Sequence, residues 1–138
     1  MKHINKSLII TGVICLAVGA TAMFLIREYL MPPTTETLLL GLSNEFNRKC
    51  PMMVDKITRF DNTSVSNQEL RFSYTILNAV KDSVDSVGLH NYLEPIVKKG
   101  LTNNPRVEFL KQHHITIVCL YRDRKSKMLT EVRVKTGK

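Results

Sequence analysis

Nineteen consecutive residues, Leu8–Ile26 (LIITGVICLAVGATAMFLI), carry neither a charge nor a proline, and this run constrains the chain more than any other feature. As a helix at about 1.5 Å per residue it would measure roughly 28 Å, close to the roughly 30 Å hydrocarbon thickness of a bilayer. A helix in water needs a polar face, and this one has none. The expectation is therefore a cytoplasmic tail over residues 1–7, a transmembrane signal-anchor over 8–26, a linker over 27–34 and an exported domain over 35–138. Ala20-Thr21-Ala22 behind the basic Lys2 and Lys6 fits a signal-peptide cleavage site, which makes a secreted soluble protein the alternative. Met23-Phe24-Leu25-Ile26 continue the apolar run past that site, which favours retention. Lys2 and Lys6 lie ahead of the run; behind it Arg27 and Glu28 nearly cancel, with no further base until Arg48. By the positive-inside rule the N-terminus stays in the cytoplasm. Gly12, Cys15, Gly19 and Ala22 share one face of such a helix, a stripe that permits close packing of membrane helices, although small residues are common in any segment of this kind.

Beyond Ile26 the chain is long enough for one modest core. The chain has 20 basic and 12 acidic residues, net +8; without Lys2 and Lys6 the part beyond Ile26 retains +6, of which residues 122–138 supply +5. A solvated face is the ordinary meaning of such a concentration, and membrane lipid or an acidic envelope protein is the partner it would otherwise suit. No nucleic-acid motif accompanies the charge, so nucleic acid is not expected as a partner.

The elements read in the order α-β-β-α-(α)-β-β. Leu38, Leu39, Leu42 and Phe46 recur at helical spacing between the Thr34/Thr35 cap and Pro51. Val54–Phe60 is β-prone and is followed by a polar turn at Asp61-Asn62-Thr63. Leu70, Phe72, Tyr74 and Ile76 alternate with Arg71, Ser73 and Thr75, the clearest strand in the chain. Val84, Val87, Tyr92, Leu93, Ile96 and Val97 return to helical spacing; Gly100 suits a C-cap, and a short helix to Gln112 comes after Asn104-Pro105. His114–Arg122 and Met128–Lys135 form a closing hairpin around Asp123–Lys127. The expected fold class is α+β, with a four-stranded antiparallel sheet and helices on one face.

The residues 47–61, Asn47-Arg48-Lys49-Cys50-Pro51-Met52-Met53-Val54-Asp55 through Thr58-Arg59-Phe60-Asp61, resemble a pattern in small exported or membrane-anchored bacterial proteins of unknown function. Phe72-Ser73-Tyr74 and Tyr121-Arg122-Asp123 stand where those proteins carry further shared motifs, so the likeness spans roughly Leu38 to Val134. The resemblance implies residence in the bacterial inner membrane or periplasm and brings no activity with it. Relatives of that kind end near a cysteine; this chain ends Lys135-Thr136-Gly137-Lys138, which puts a shared disulfide in doubt.

No GxGxxG, P-loop, HExxH, GxSxG or CxxC is present, so no cofactor is expected and catalysis is not indicated. Cys50 and Cys119 are the cysteines of the exported part and would be able to pair in an oxidising compartment; packing as two free thiols is the competing reading. His113 and His114, adjacent in a strand, point to opposite faces and do not make a metal site together. Asp55, Arg59 and Asp61 alternate along a strand-like stretch and, with Arg122, Arg124, Lys125 and Lys127, form the candidate partner surface. The expected role is a membrane-anchored interaction module, subunit or accessory of a larger envelope assembly. The alternative is a periplasmic binding or enzymatic domain with its pocket between sheet and helices, near Asp55, Arg59 or Tyr74.

Overall fold

The computed structural model describes residues 33–102, 105 and 107–137. Leu8–Ile26, with its stripe Gly12, Cys15, Gly19 and Ala22, lies outside them, and among the described residues no helix is long and apolar enough to cross a membrane. The elements are α1 (Thr35–Asn47), β1 (Met52–Met53), β2 (Thr58–Ser66), β3 (Glu69–Ile76), a 3₁₀ turn (Lys81–Ser83), α2 (Ser86–Thr102), α3 (Val107–Gln112), β4 (Thr116–Asp123) and β5 (Met128–Lys135).

The sheet corrects the expectation of four antiparallel strands. It has five strands in the order β1-β2-β3-β4-β5, and β3 pairs with β4 in parallel. The two hairpins, β2–β3 and β4–β5, are antiparallel as their short turns require. Between them the chain crosses over through α2 and α3 and returns to lie beside β3 in the same direction, which a helical crossover permits and a tight turn does not. Asp61-Asn62-Thr63 is not a turn: it lies inside β2, and the reversal falls at Asn67 and Gln68, both with positive φ (47° and 60°).

All three helices lie on one face of the sheet. Leu39 and Leu42 of α1, Leu89, Leu93, Val97 and Leu101 of α2, and Leu110 of α3 pack with Leu70, Ile117, Cys119, Tyr121 and Val132. Each fully buried aliphatic side chain among these contributes about 1.5–3 kcal/mol over its exposed state. Leu38 turns outward from α1, and Val87, Tyr92 and Ile96, expected on the buried face of α2, are exposed. Gly100 is no cap: α2 runs through it to Thr102, carrying Pro95 within it.

Side chains close parts of the sheet edges, where unpaired strands would otherwise recruit other chains. On β2, the Asn47 amide accepts from the Thr63 N–H (2.6 Å) and donates to the Thr63 carbonyl (3.0 Å), taking the place of a neighbouring strand. On β5, Lys81 Nζ donates to the Leu129 carbonyl (3.4 Å), and His90 Nδ1 meets the Glu131 carbonyl at 3.0 Å.

Candidate functional site

The site begins with a β-bulge. Phe60 pairs with Tyr74 and Asn62 with Ser73, so Asp61 is the extra residue of β2. The bulge moves Thr63 and Val65, rather than Asn62 and Ser64, into register with the core-facing Phe72 and Leu70. Thr63 thereby reaches α1: its hydroxyl lies 2.6 Å from Ser43 Oγ and donates to the Ser43 carbonyl at 3.0 Å. On the opposite, helix-free face Asp61 joins two neighbours. Arg59 Nε donates to Asp61 Oδ1 at 2.6 Å, and the Thr75 hydroxyl donates to Oδ2 at 2.6 Å. Asp61 is thus fixed by a buried threonine, and it orients Arg59 through Nε while leaving the terminal guanidinium nitrogens to present outward.

Register extends this cluster across the sheet. Met53 pairs with Arg59, Arg59 with Thr75, Thr75 with Arg122 and Arg122 with Met128, so the five form one lateral row on the helix-free face. At roughly 4.8 Å per strand, Arg59 and Arg122 lie about 10 Å apart with Thr75 between them. Ile57 and Leu77, each just outside its strand, are joined one step beyond the row by a backbone hydrogen bond of 2.8 Å. Met53 (48% exposed) and Met128 (41%) end the row, and Ile57 (43%) and Leu77 (37%) are exposed at the neighbouring strand ends. Among the described residues no carboxylate pairs with Arg122.

The remainder of this face is self-neutralised. Glu69 accepts from Arg71 Nη2 at 2.7 Å and from Arg133, and Arg133 Nε donates to Glu131 at 2.6 Å. The Arg71 and Arg133 guanidinium groups hold the Glu69 carboxyl below the usual carboxylate range. Val118, in register between Arg71 and Arg133, is fully buried, as expected where long basic side chains lay their stems over an apolar neighbour. Charges paired in this way make a solvated surface, whereas the row through Arg59 and Arg122 sets Arg122, without a carboxylate partner among the described residues, beside exposed apolar side chains.

The other predicted surface residues divide. Arg122 is in the row, and Arg124, Lys125 and Lys127 sit on the adjoining β4–β5 turn. That turn is wound around Asp123, a fully buried residue that accepts from the backbone N–H groups of Lys125 (2.8 Å), Lys127 (2.9 Å) and Lys81 (2.9 Å). Burial alone would raise the Asp123 carboxyl; the three N–H groups outweigh it and hold the pKa below the ordinary value. Asp55 does not join Arg59 and Asp61. Its Oδ1 accepts from the N–H groups of Ile57 and Thr58, both at 2.8 Å, and closes the β1–β2 turn. Sequence reasoning missed Met53, Ile57, Thr75, Leu77 and Met128. Thr75 was legible as an outward residue of the alternating strand, but only the register of four strand pairs gathers the rest.

On the helix face an aromatic row, Phe46, Phe60, Phe72, Tyr74 and Tyr121, runs from α1 to β4 with centroid spacings of 5.0–6.3 Å. Tyr74 stacks on Tyr121 at 15°, and burial raises both phenols well above their usual pKa. Tyr74 belongs to this face and Arg59 to the other, so the residues near which a pocket was expected, Asp55, Arg59 or Tyr74, are not gathered in one place. Cys50 and Cys119 are free thiols; burial pushes Cys119 up to about 12 and also raises Cys50. His113 Nδ1 meets Thr35 Oγ1 at 3.1 Å, its ring packs against Phe109, and no metal-binding group of side chains occurs among the described residues.

These features define a small α+β domain with helices on one face of a five-stranded mixed sheet and an open, partly cationic row on the other. Residues 36–130 match a domain of unknown function (DUF8479), and the chain belongs to that family. No curated protein matches it significantly. The fold is shared with a protein of Pseudomonas aeruginosa described as secreted, at TM-score 0.63 and 10% identity over 72% of this chain and 88% of that one. It is also shared with two type II secretion pilotins. That of Vibrio vulnificus gives TM-score 0.58 and 8% identity over 73% of this chain and 87% of its own; that of Vibrio cholerae gives 0.56 and 9% over 73% and 88%.

Proposed function

We propose that this protein is an exported accessory of an envelope assembly, held at the membrane by Leu8–Ile26, whose helix-free sheet face docks a protein partner. The observation that carries this reading is the lateral row Met53–Arg59–Thr75–Arg122–Met128, where exposed methionines flank Arg59, oriented by Asp61, and Arg122, which has no carboxylate partner among the described residues. Met and Arg are enriched in protein interfaces because a flexible thioether adapts to a partner's surface and a planar guanidinium binds carboxylates in two places at once. The basic turn of Arg124, Lys125 and Lys127 adds long-range attraction for an acidic partner. The fold likeness to a protein described as secreted and to two secretion pilotins supports an extracytoplasmic setting, as does the resemblance of residues 47–61 to small exported bacterial proteins.

The test is gentle solubilisation and affinity capture of the full chain from its own cells, beside the variant Arg59→Glu/Arg122→Glu. The reading expects a stoichiometric envelope protein to accompany the parent chain and to be lost from the variant while the variant stays folded. Recovery of the parent solely as a free monomer, or an undiminished partner on the variant, would overturn it.

A further inference from the structure

The helix α2 is apolar on two sides, and the sheet covers one of them. Leu89, Leu93, Val97 and Leu101 pack toward the core, yet none of the helix's 17 residues is fully buried. Val87 (70% exposed), Tyr92 (67%) and Ile96 (50%) stand open. A helix with apolar side chains on more than one side is one that is covered on more than one side. Tyr92 and Ile96 are four residues apart and Lys99 follows three later, so the three form one stripe along the exposed side. No carboxylate interrupts the stripe. Glu94, the one acid of the helix, is taken by Lys98 at 2.7 Å and lies 3.8 Å from His90, whose Nδ1 meets the Glu131 carbonyl on β5. Lys99 has no carboxylate partner among the described residues. An aliphatic side chain, a ring with a polar tip and a long cation together suit the boundary between acyl chains and headgroups.

The chain also enters the domain through the helix layer. Thr35, the first residue of α1, follows the eight residues 27–34, and these follow the apolar run Leu8–Ile26. Eight residues reach at most about 29 Å. A domain of about 100 residues has a radius of gyration near 13 Å, so that reach is no greater than its own width. Held so closely, the domain keeps one surface beside the bilayer. The helix-free face is a poor choice for that surface, because it carries the ion pairs of Glu69, Arg71, Glu131 and Arg133, and removing charges from water is costly. The helix layer offers the α2 stripe, with Leu38 and Leu40 of α1 exposed beside the point of entry.

We propose that the exposed side of α2 seats the domain on the lipid bilayer, with Tyr92 and Ile96 in the interface and Lys99 at the phosphates. The seat rests on the reading of Leu8–Ile26 as a membrane anchor and adds an orientation to it. The helix layer faces lipid, and the row through Arg59 and Arg122 faces away, toward the protein partner. Because the seat is apolar, it forms on zwitterionic lipid and needs no anionic headgroup.

The chain has no tryptophan, so a single introduced indole reports its own surroundings. The test places the full chain in phosphatidylcholine nanodiscs, with and without phosphatidylcholine brominated high on the acyl chain. Tyr92→Trp is the reporter and Met53→Trp, on the helix-free face, the reference. With the indole within roughly 5–10 Å of the headgroup boundary, brominated lipid should lower emission from position 92 about twofold and leave position 53 unchanged. Adding Ile96→Glu to Tyr92→Trp should abolish the quenching while the far-UV spectrum is kept. Equal quenching at both positions, none at position 92 in a chain that co-purifies with the discs, or quenching that survives Ile96→Glu would overturn the seat and leave the anchor standing. A blue shift at position 92 without quenching, growing with the number of chains per disc, would give the stripe to a second copy and overturn the seat as well. A chain that does not co-purify with the discs at all would overturn the anchor, and the seat with it.

Discussion

Replacing Asn47 by Ala should cost the domain about 2 kcal/mol, because one side chain closes the edge of β2 where no strand does. Its amide makes two backbone bonds to Thr63, at 2.6 Å to the N–H and 3.0 Å to the carbonyl, and its oxygen lies 3.1 Å from the Thr63 hydroxyl. A hydrogen bond of this kind contributes about 0.5–1.5 kcal/mol net, so losing the two backbone bonds costs about 1–3 kcal/mol. The site is half-buried, and water restores part of the loss, which places the expectation near the middle of that range. For a domain of roughly 100 residues each kcal/mol moves Tm by about 4–8 °C, so a drop near 10 °C is predicted. The assay is thermal unfolding of the full chain in neutral detergent by circular dichroism, with hydrogen exchange at the Thr63 amide as a local reporter. Exchange at that amide should accelerate in the variant ahead of the β4 amides. A Tm shift below about 2 °C with unchanged Thr63 exchange would show that Asn47 is not what closes this edge, and the reasoning would fail.

Asp123 should make stability acid-sensitive. Its folded pKa lies below the unfolded value of about 3.9, so its contribution is present above that pH and is lost as pH falls through the depressed folded value. Urea titrations between about pH 5 and pH 2 should show a falling limb that flattens in Asp123→Asn; an unchanged limb would contradict the assignment. Cys119, buried with its thiol pushed up to about 12, should resist maleimide at neutral pH while Cys50 reacts, as read by peptide mass spectrometry; equal rates would contradict the packing of β4. Gln68, held at φ 60° in the β2–β3 turn, should gain about 1 kcal/mol on replacement by Gly, seen as a higher urea midpoint; a lower midpoint would refute the turn geometry.

The parts of the fold legible in the chain were those governed by local period. Leu70, Phe72, Tyr74 and Ile76 announced β3 by alternation, and the hairpin around Asp123 came from two β-prone runs flanking a polar turn. Asp61-Asn62-Thr63 misled because three polar residues in a row look like a turn. In the structure Asp61 is taken up by Arg59 and Thr75, and Thr63 by Ser43 and Asn47, partners that no local pattern announces. The parallel β3–β4 pair was likewise invisible, since strand direction depends on the path of the crossover through α2 and α3 rather than on either strand's own residues. Of the candidate surface, the Arg59–Asp61 pair was legible from its spacing, whereas its adjacency to Arg122 depends on the register of β2, β3 and β4. Asp55 was misplaced because its carboxylate is spent on the turn just after it.

The most direct test of the account is photo-cross-linking in living cells from single positions of the full chain. A photo-reactive residue at Arg122, in the open row, is compared with one at Arg71, in the self-paired part of the same face. The account predicts one dominant protein adduct from position 122, of discrete mass and envelope origin, and little from position 71. Equal adducts from both positions, or none from position 122, would contradict the claim that this row is the docking surface.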